Sequence, residues 1–373
     1  MRVLQIMGRS SDAIHQHVDS LNTILKRNKI TSSIIAPVGA MNGLCKEDYC
    51  YPIPRLSKPL SLYSCSKEVK KLINDFEVLH AHGIIAALIA LRARKLAKSK
   101  IPVVMTLHNF AVQRIDGYKF FIKYRIESII LKKVDYIICP SEYAESYARK
   151  FTNNRIDITT ILPVGKTILK KDIISANNIR DLTRDHFYIK HDDPLCISLS
   201  RYTRQKDFTT LIRSFKLVVE KIPNAKLIIA GHSTYKSTVK YQELLKKIKL
   251  ENSIHLYGNI NNPDNLLAAS DLFVLASIFE TVPLVLIDAL KFGKPVVMTK
   301  VGVAKKILDG TNGISVPILD PQSLSKALID WLNKIKEGKV DPKLIEKSIE
   351  KTTDLKYTIE PIIEIYNALS QTN

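Results

Sequence analysis

The chain has 373 residues, of which 46% are hydrophobic and 7% aromatic, a composition that excludes a disordered or fibrous protein and is typical of a globular enzyme. Its length suggests two domains, at roughly 150 residues per domain. The net charge of +20 favours an anionic partner: nucleic acid, a membrane surface or a phosphorylated substrate. No apolar stretch reaches the roughly 18 residues that a membrane-spanning helix needs.

The cysteines and the N-terminal stretch indicate the compartment. The five cysteines include no CxxC pair, and MRVLQIMGRSS lacks the apolar core of a signal peptide. We therefore expect free thiols in a reducing compartment. The prediction is a cytoplasmic protein or, if its positive charge binds lipid, a peripheral one on the inner face of the cytoplasmic membrane.

In the first half of the chain, short apolar runs alternate with longer segments of helical periodicity. The strand-like runs, in chain order, are RVLQIM, TSSIIAPV, EVLHAHG, PVVMTLHN, DYIICPS and ITTILPVG. Segments between them, such as IAALIALRARKLAKSK, have the length of helices. Short, continuously apolar strands that alternate with helices predict a parallel sheet covered on both faces.

A second series of the same kind follows a polar, irregular stretch at 170–193. Its strand-like runs are PLCISLSRY, AKLIIAG, SIHLYGNI, LFVLAS, KPVVMTKV and GISVPI. We predict an α/β protein with two Rossmann-like, doubly wound domains. The first spans 1–175, a linker region spans 176–193, and the second domain spans 194–355.

Candidate functional residues are sought in the loops after the strands, because open α/β sheets bind ligands at the carboxyl ends of their strands. Arg201 and Lys206 follow the first strand of the second series and precede a helix, where cations and free backbone amides attract a diphosphate. Gly231 ends the next strand, and a glycine there permits close backbone approach to a ligand. The alternative interpretation is a solvated basic loop and an ordinary strand end.

Two acids lie near the end of the run LFVLAS. Glu280 precedes Pro283 and a short apolar helix, and its carboxylate can accept hydrogen bonds from adjacent sugar hydroxyls. Asp288 lies about a turn and a half into that helix, within reach of a second diol such as a ribose. The alternative is an ordinary loop acid and a surface acid on a helix.

Taken together, these residues form a long spaced pattern that resembles the C-terminal domain of family 4 glycosyltransferases. VLHAHG and VVMTLHNF resemble the HxH and T-x-H-(D/N) segments of that family's first domain, and the similarity covers nearly the whole chain. The resemblance implies the GT-B architecture, in which two Rossmann-like domains face an interdomain cleft. It also implies that the C-terminal helix, 356–373, packs back on the first domain.

The resemblance further implies a nucleotide-sugar-dependent hexosyltransferase that retains the configuration of the sugar. It places His108 and Glu280 beside the transferred sugar as catalytic residues. The implied donor-binding residues are Gly8, Arg201, Lys206, Gly231, Thr281, Val282, Leu284 and Asp288. No metal site and no cofactor are expected besides the nucleotide-diphosphate sugar, since Arg201 and Lys206 can neutralise the diphosphate and no Asp/His metal cluster is evident.

Several positions depart from the family pattern. Asp288 replaces the usual Glu, Thr281 and Asp207 stand where glycine is usual, Arg9 stands where adjacent glycines are common, and Lys306 replaces a Glu. These departures leave two readings, an active enzyme adapted to its own donor or a non-catalytic partner protein of glycan synthesis. A nucleotide-sugar epimerase of similar fold is the other enzyme alternative. The persistence of the remaining site residues favours an active transferase.

Two further histidines, His80 and His82, end the run EVLHAH. We assign them to opposite faces of their strand, with His82 near the site, beside Gly83, and His80 packed in the core.

The positive charge is concentrated in part within 117–133, which interleaves lysines and arginines with aromatic and aliphatic residues. This pattern favours docking on an anionic membrane surface, and the alternative is a helix with a packed apolar face and solvated lysines. We expect the acceptor to be a glycan or a lipid-linked molecule of polysaccharide synthesis, as in the resembled family. No nucleic-acid-binding motif is visible, so no nucleic-acid partner is expected.

Overall fold

The computed structural model describes residues 1–8, 12–37, 50–53, 59–163, 174–175, 178–260 and 262–371. Its Cα packing separates the chain into two units: unit 1 is Met1–Lys166 with Thr352–Asn373, and unit 2 is Thr167–Lys351. Arg9 and the first two residues of the predicted linker, 176–177, lie outside the described residues. The limits that the sequence suggested for the domains, at 175, 193 and 355, stay predictions.

Unit 1 is built on a seven-stranded parallel sheet. Its strands are β1 (Arg2–Met7), β2 (Thr31–Pro37), β3 (Cys50–Ile53), β4 (Val78–His82), β5 (Val103–Thr106), β6 (Tyr136–Cys139) and β7 (Asp157–Thr160). The helices between them are α1 (Asp12–Arg27), α2 (Pro59–Leu72), α3 (Ile84–Ala97), α4 (Gln113–Asp116), α5 (Phe120–Leu131) and α6 (Glu142–Thr152). The strand order is β3-β2-β1-β4-β5-β6-β7.

Unit 2 repeats this plan with a six-stranded parallel sheet. Its strands are β8 (Leu195–Leu199), β9 (Lys226–Ala230), β10 (Ile254–Tyr257), β11 (Leu272–Leu275), β12 (Val296–Thr299) and β13 (Gly313–Val316). Its helices are α7 (Arg180–His186), α8 (Phe208–Lys221), α9 (Tyr235–Ile248), α10 (Pro263–Ala269), α11 (Leu284–Lys291), α12 (Ala304–Ile307), α13 (Pro321–Lys336) and α14 (Pro342–Thr353). The strand order is β10-β9-β8-β11-β12-β13.

The central strands are apolar because helices cover both faces of each sheet. Every residue of β4, β5, β11 and β12 is buried. A strand buried on both sides is rich in apolar residues, and this explains why these strands appear in the sequence as short, largely hydrophobic runs.

In both sheets the strand order reverses at one point, between β1 and β4 in unit 1 and between β8 and β11 in unit 2. The helices that follow the two strands at such a point lie on opposite faces of the sheet, so their loops separate and leave a crevice at the carboxyl ends of the strands. Gly8 and Gly83 flank the reversal in unit 1, and the loops that carry Arg201 and Glu280 flank it in unit 2.

The chain ends in two helices of unit 1, α15 (Leu355–Thr358) and α16 (Glu360–Gln371). Ile362 and Tyr366 of α16 belong to the same apolar cluster as Val3, Val78 and Val104 of the unit 1 sheet. Tyr366 is fully buried, and its hydroxyl is hydrogen-bonded to Nδ1 of His80. The last helix is therefore part of the core of unit 1.

Candidate functional site

In unit 2, the loops after β8 and β11 are joined by two hydrogen bonds. The backbone amide of Ile278 donates to the carbonyl of Gln205 at 2.9 Å, and the Gln205 side chain donates to the carbonyl of Phe279 at 2.8 Å. The same turn of chain, Arg204–Lys206, leads into α8. Because the two loops are fixed to each other, Lys206 lies opposite Glu280.

Lys206 and Glu280 form an ion pair in this site. The Lys206 ammonium contacts Oε1 of Glu280, and the same oxygen accepts a hydrogen bond from the hydroxyl of Ser277 at 2.7 Å. Only 12% of the lysine side chain and 8% of the glutamate side chain are exposed. The sequence assigned the two residues to different parts of a ligand, and the structure shows in addition that they contact each other.

The residue after Lys206 explains one departure from the family pattern. Asp207 has φ of 44°, in the left-handed region that glycine enters at least cost. Its side chain accepts a hydrogen bond from the amide of Thr210 at 3.3 Å and so caps the N-terminus of α8. Aspartate is among the side chains that tolerate this conformation. Arg201, earlier in the loop, is exposed.

Gly231 lies close to the backbone of Ser200, and no ligand is needed to explain a glycine at this position. A Cβ at this position would lie 2.3 Å from the carbonyl oxygen of Ser200, in the loop after β8. The glycine therefore lets the loops after β8 and β9 pack together. Its predicted contact with a donor stays a prediction.

The remaining predicted donor residues lie on the loop after β11 and on α11. Thr281 and Val282 are half-buried, and Leu284 is buried as the first residue of α11. Asp288 is the fifth residue of that helix and is half-buried, and its negative charge opposes the lowering of the Lys291 pKa that burial causes. The structure thus brings Thr281 and Glu280 into one loop and places Asp288 just over one turn into the next helix.

In unit 1, Gly8 directly follows β1 and is buried. A Cβ added to it would lie 3.3 Å from Cβ of Ile85, in the first turn of α3. A larger residue would therefore press on the start of that helix.

The assignment of His80 and His82 to opposite faces is wrong. Residues two apart in a strand point to the same face, and the two ring centroids lie 4.2 Å apart. Both rings are buried beneath the helices on that face, so the sequence pattern H-A-H itself indicated a pair.

These histidines are part of a buried polar network near the carboxyl end of the sheet. Nε2 of His80 lies 2.7 Å from the hydroxyl of Thr106. Nε2 of His82 lies 3.1 Å from Oε1 of Gln5, and its Nδ1 lies 3.3 Å from Nε2 of His108. The predicted catalytic His108 is therefore held by His82, which is held in turn by Gln5.

A further histidine, which the sequence analysis did not select, completes this group. The His17 ring, on α1, has its centroid 5.6 Å from that of His82 and 5.2 Å from that of His108. His17 lies three residues after Ile14 and four before Leu21, on the apolar stripe of α1, and this spacing was the available signal that the ring is buried. One nitrogen each of His17, His82 and His108 lie within 4.8 Å of one another.

Burial favours the neutral form of His80, His82 and His108. It lowers the pKa of His80 to about 3, with a smaller contribution from repulsion by His17. Burial also lowers the pKa of His82 and of His108 well below the ordinary value, and the neighbouring histidines add to the effect.

A cavity of about 300 Å³ adjoins this group within unit 1. Gly8, His82 and Gly83 line one part of it, and Phe110, Ile126 and Glu127 line another. Glu127 accepts a hydrogen bond from the amide of Ala111 at 3.0 Å and another from the hydroxyl of Tyr147, so it fixes the loop that follows His108. The burial of this carboxyl raises its pKa.

Helix α5, which contributes Ile126 to the cavity, presents large apolar side chains to solvent. Their exposed fractions are 65% for Phe121, 65% for Ile122 and 52% for Ile129. Within the part of the chain that the structure describes, no helix is both long and apolar enough to cross a membrane.

Two family models match the chain, one in each half. The model for Glycosyltransferase Family 4 matches residues 15–163, and the model for Glycosyl transferases group 1 matches residues 180–350.

Individual proteins are similar to parts or all of the chain. An uncharacterised glycosyltransferase of Methanocaldococcus jannaschii is 35% identical over 185 residues, which are 50% of this chain and 42% of that protein. The Escherichia coli enzyme named UDP-Gal:alpha-D-GlcNAc-diphosphoundecaprenol alpha-1,3-galactosyltransferase is 25% identical, over 78% of this chain and 79% of its own.

The crystal structure of HepE from Anabaena in complex with UDP-glucose superposes with a TM-score of 0.77 at 15% identity, covering 100% of this chain and 99% of that one. This likeness confirms the predicted fold, an α/β protein of GT-B type with two Rossmann-like domains.

Proposed function

This chain belongs to glycosyltransferase family 4, and we propose that it transfers a hexose-type sugar from a nucleotide-diphosphate donor to an acceptor of polysaccharide synthesis. The observation that carries the proposal is the buried pair of Lys206 and Glu280 at the carboxyl ends of β8 and β11. Such a pair at the point of strand reversal offers a cation for phosphate and a carboxylate for sugar hydroxyls within one site.

The donor binds to unit 2 in this proposal. Arg201 and Lys206 contact the diphosphate, together with the N-terminus of α8, whose backbone dipole favours an anion. Glu280 accepts hydrogen bonds from the sugar and Asp288 from the ribose. Gly231, Thr281, Val282 and Leu284 shape the donor site in unit 2. The predicted donor role of Gly8, which lies in unit 1, stays a prediction. The relatives support a nucleotide sugar as donor, because one is named for UDP-galactose and another is seen with UDP-glucose.

In the transfer step the bond between the sugar carbon and the diphosphate oxygen breaks, and a bond from that carbon to an acceptor hydroxyl forms. The leaving diphosphate gains negative charge, and fixed cations lower the barrier by stabilising it. The acceptor hydroxyl attacks the face that the diphosphate leaves and gives its proton to a phosphate oxygen, so the configuration is retained. His108, held neutral, donates or accepts a hydrogen bond at the sugar. No cofactor takes part besides the donor.

The acceptor binds to unit 1 in this proposal. The cavity beside Gly8 and His82 is lined by isoleucines and Phe110, and also by Lys123, which forms an ion pair with Asp116. Apolar walls and a cation suit a lipid-linked acceptor that carries phosphate. Helix α5 contributes Lys123 and Ile126 to this cavity and exposes Phe121 and Ile122, which lets the same helix rest on an anionic membrane. The protein is then cytoplasmic and peripheral on the inner face.

The experiment that tests the function is incubation with a panel of nucleotide sugars, with free nucleotide as the readout. Wild-type protein releases nucleotide slowly from one donor, and Glu280→Gln reduces this release at least ~100-fold. Glu220→Gln, which changes an exposed carboxylate on α8 of the same unit, is the matched control and keeps full activity. Donor binding without turnover would favour the non-catalytic alternative, and an epimerised donor would favour the epimerase.

Membrane docking is tested with liposomes that contain anionic lipid. The wild type co-sediments with them and is released by salt, whereas Phe121→Ser/Ile122→Ser stays in the supernatant. Leu344→Ser, which removes a 59% exposed leucine from unit 2, is the control. Equal sedimentation of all three proteins would remove α5 from the proposal.

A further inference from the structure

The group of His17, His82 and His108 has the donor atoms and the spacing of a transition-metal site. The three side chains come from α1, from the end of β4 and from the loop after β5, so the fold collects them from three separate elements. All three are buried, and one nitrogen of each lies within 4.8 Å of the other two. A metal held by these nitrogens has no carboxylate or thiolate among its protein ligands.

The distance between the two nearest nitrogens fits tetrahedral coordination. Zinc–nitrogen bonds of about 2.0–2.1 Å place two imidazole nitrogens about 3.3–3.4 Å apart at the corners of a tetrahedron. Nδ1 of His82 and Nε2 of His108 are 3.3 Å apart. The His17 nitrogen lies within 4.8 Å of the other two and must approach by up to about 1.5 Å, a movement that rotation about the broad χ2 torsion of a histidine supplies.

A second observation concerns Gln5, which contacts the ring nitrogen of His82 that faces away from His108. Gln5 donates from Nε2 to the hydroxyl of Ser32 at 2.8 Å, so its Oε1 is turned toward Nε2 of His82 at 3.1 Å. In this orientation His82 carries its proton on Nε2 and directs the lone pair of Nδ1 into the group. Histidine ligands of metals regularly donate their other N–H to such an oxygen, which fixes the ring and its tautomer.

We propose that His17, His82 and His108 bind one divalent ion of the zinc class in unit 1. An all-imidazole donor set suits Zn²⁺ or Co²⁺ and disfavours Mg²⁺ and Ca²⁺, which take oxygen ligands. The ion replaces the hydrogen bond between His82 and His108, and His108 then carries its proton on Nδ1. The cavity that His82 lines gives the ion a route and leaves room for a fourth ligand.

The site does not depend on the proposed sugar transfer, although His108 belongs to both. A bound ion would occupy one nitrogen of the ring that is proposed to contact the sugar, so metal and donor compete for His108. Binding of metal is measured without any sugar, and its result is therefore separate from the outcome of the transferase assay.

The test is titration of untagged, chelator-treated protein with Zn²⁺, followed by calorimetry and by metal analysis after gel filtration. We expect one Zn²⁺ per chain, unchanged by millimolar Mg²⁺. His17→Asn lowers the affinity at least ~100-fold, and Gln5→Leu, which removes only the support of His82, lowers it about 10–100-fold. His232→Asn, at an exposed histidine of unit 2, is the matched control and binds as the wild type does.

Two results would overturn the proposal. One is wild-type protein that takes up no stoichiometric Zn²⁺, and the other is His17→Asn that takes up as much as the wild type. Circular dichroism checks that each variant is folded. If His17→Asn does not fold, the visible absorption spectrum of Co²⁺ bound to the wild type decides. A weak spectrum, typical of octahedral coordination by oxygen, would contradict a three-histidine site.

Discussion

Lys206 and Glu280 contact each other across the loops that follow β8 and β11, and both side chains are nearly buried. Each charge is therefore compensated before any ligand arrives. In the proposed reaction the diphosphate attracts the ammonium and the sugar hydroxyls occupy the carboxylate, so donor binding exchanges one partner of each residue for another.

The first prediction concerns the stability of this pair. Lys206→Met leaves the Glu280 carboxylate buried without its cation, and Glu280→Gln leaves the ammonium without its anion. Each variant is expected to lower the free energy of unfolding by about 3 kcal/mol. The double variant should lose less than the sum, with a coupling of at least about 1 kcal/mol, measured by urea unfolding of all four proteins. Additive losses would mean that the two charges do not stabilise each other.

The second prediction separates Arg201 from the general positive charge of its loop. Arg201→Met removes a proposed charged hydrogen bond to the diphosphate and should raise the KM for the donor about 10–100-fold. Arg204→Met removes another exposed arginine three residues away and should leave KM unchanged. Equal effects of the two substitutions would indicate attraction by net charge and not a contact of Arg201.

The third prediction concerns the left-handed residue before α8. Asp207→Ala removes the side-chain cap and keeps the conformational strain, so it should destabilise unit 2 by about 2 kcal/mol. Asp207→Gly also removes the cap but relieves the strain, and it should cost only a few tenths of a kcal/mol. Thermal unfolding of the two variants gives the comparison, and a glycine variant less stable than the alanine variant would contradict this explanation.

The fourth prediction tests the contact between the loops after β8 and β9. Gly231 has φ of 144°, and its added Cβ would meet the Ser200 carbonyl, so Gly231→Ala should cost about 2 kcal/mol or more. Gly258→Ala is the matched control, because a Cβ there meets nothing within 4 Å, and its effect should be under about 0.5 kcal/mol. Similar unfolding midpoints for the two variants would contradict the contact.

The fifth prediction concerns the pH dependence of stability. Burial, followed by repulsion from Arg180, lowers the pKa of Lys294 to about 8, while Asp271 opposes the shift. The unfolded chain holds this proton up to its ordinary pKa near 10.5, so between pH 8 and 10 the unfolded state binds more protons and stability rises with pH. Relative to Lys294→Met, the wild type should gain about 1–2 kcal/mol over this range.

Replacing Lys294 with methionine does not leave its hydrogen-bond acceptor without a donor. Lys294 donates to the carbonyl of Ala268 at 3.1 Å, and Arg180 donates to that carbonyl at 2.8 Å, so the carbonyl keeps a partner in the methionine variant. Urea midpoints of both proteins at pH 7, 8, 9 and 10 are the measurement. Parallel curves for the two proteins would show that Lys294 does not titrate in this range.

The strands of both sheets were predictable because burial on two faces leaves a continuous apolar run. RVLQIM coincides with β1, and the first four residues of LFVLAS are β11. The edge strand β3, CYPI, was not predicted, because it contains Pro52, and proline is unusual in strands except at an edge. Strand order and the reversal point follow from pairing between distant segments, which periodicity along the chain does not specify.

The site was only partly predictable. The sequence analysis selected Arg201, Lys206 and Glu280 because open α/β sheets bind ligands at the carboxyl ends of their strands. The spacing of these residues in the sequence does not show that Lys206 and Glu280 contact each other. The roles assigned to them, and to Asp288 and His108, stay predictions. The grouping of His17 with His82 depends on how α1 packs on the sheet, a relationship between elements that is absent from either segment alone.

The position of α16 has a consequence for synthesis. Tyr366, which closes over His80, is translated after the whole of unit 2, so a nascent chain emerging from the ribosome exposes the apolar surface around Val3 and Val104 until its last helix appears. Unit 2 is continuous in sequence and can reach its native packing earlier, even though unit 1 begins to emerge first. Unit 1 is therefore completed only after the segment 352–371 has been synthesised, which is later than the whole of unit 2.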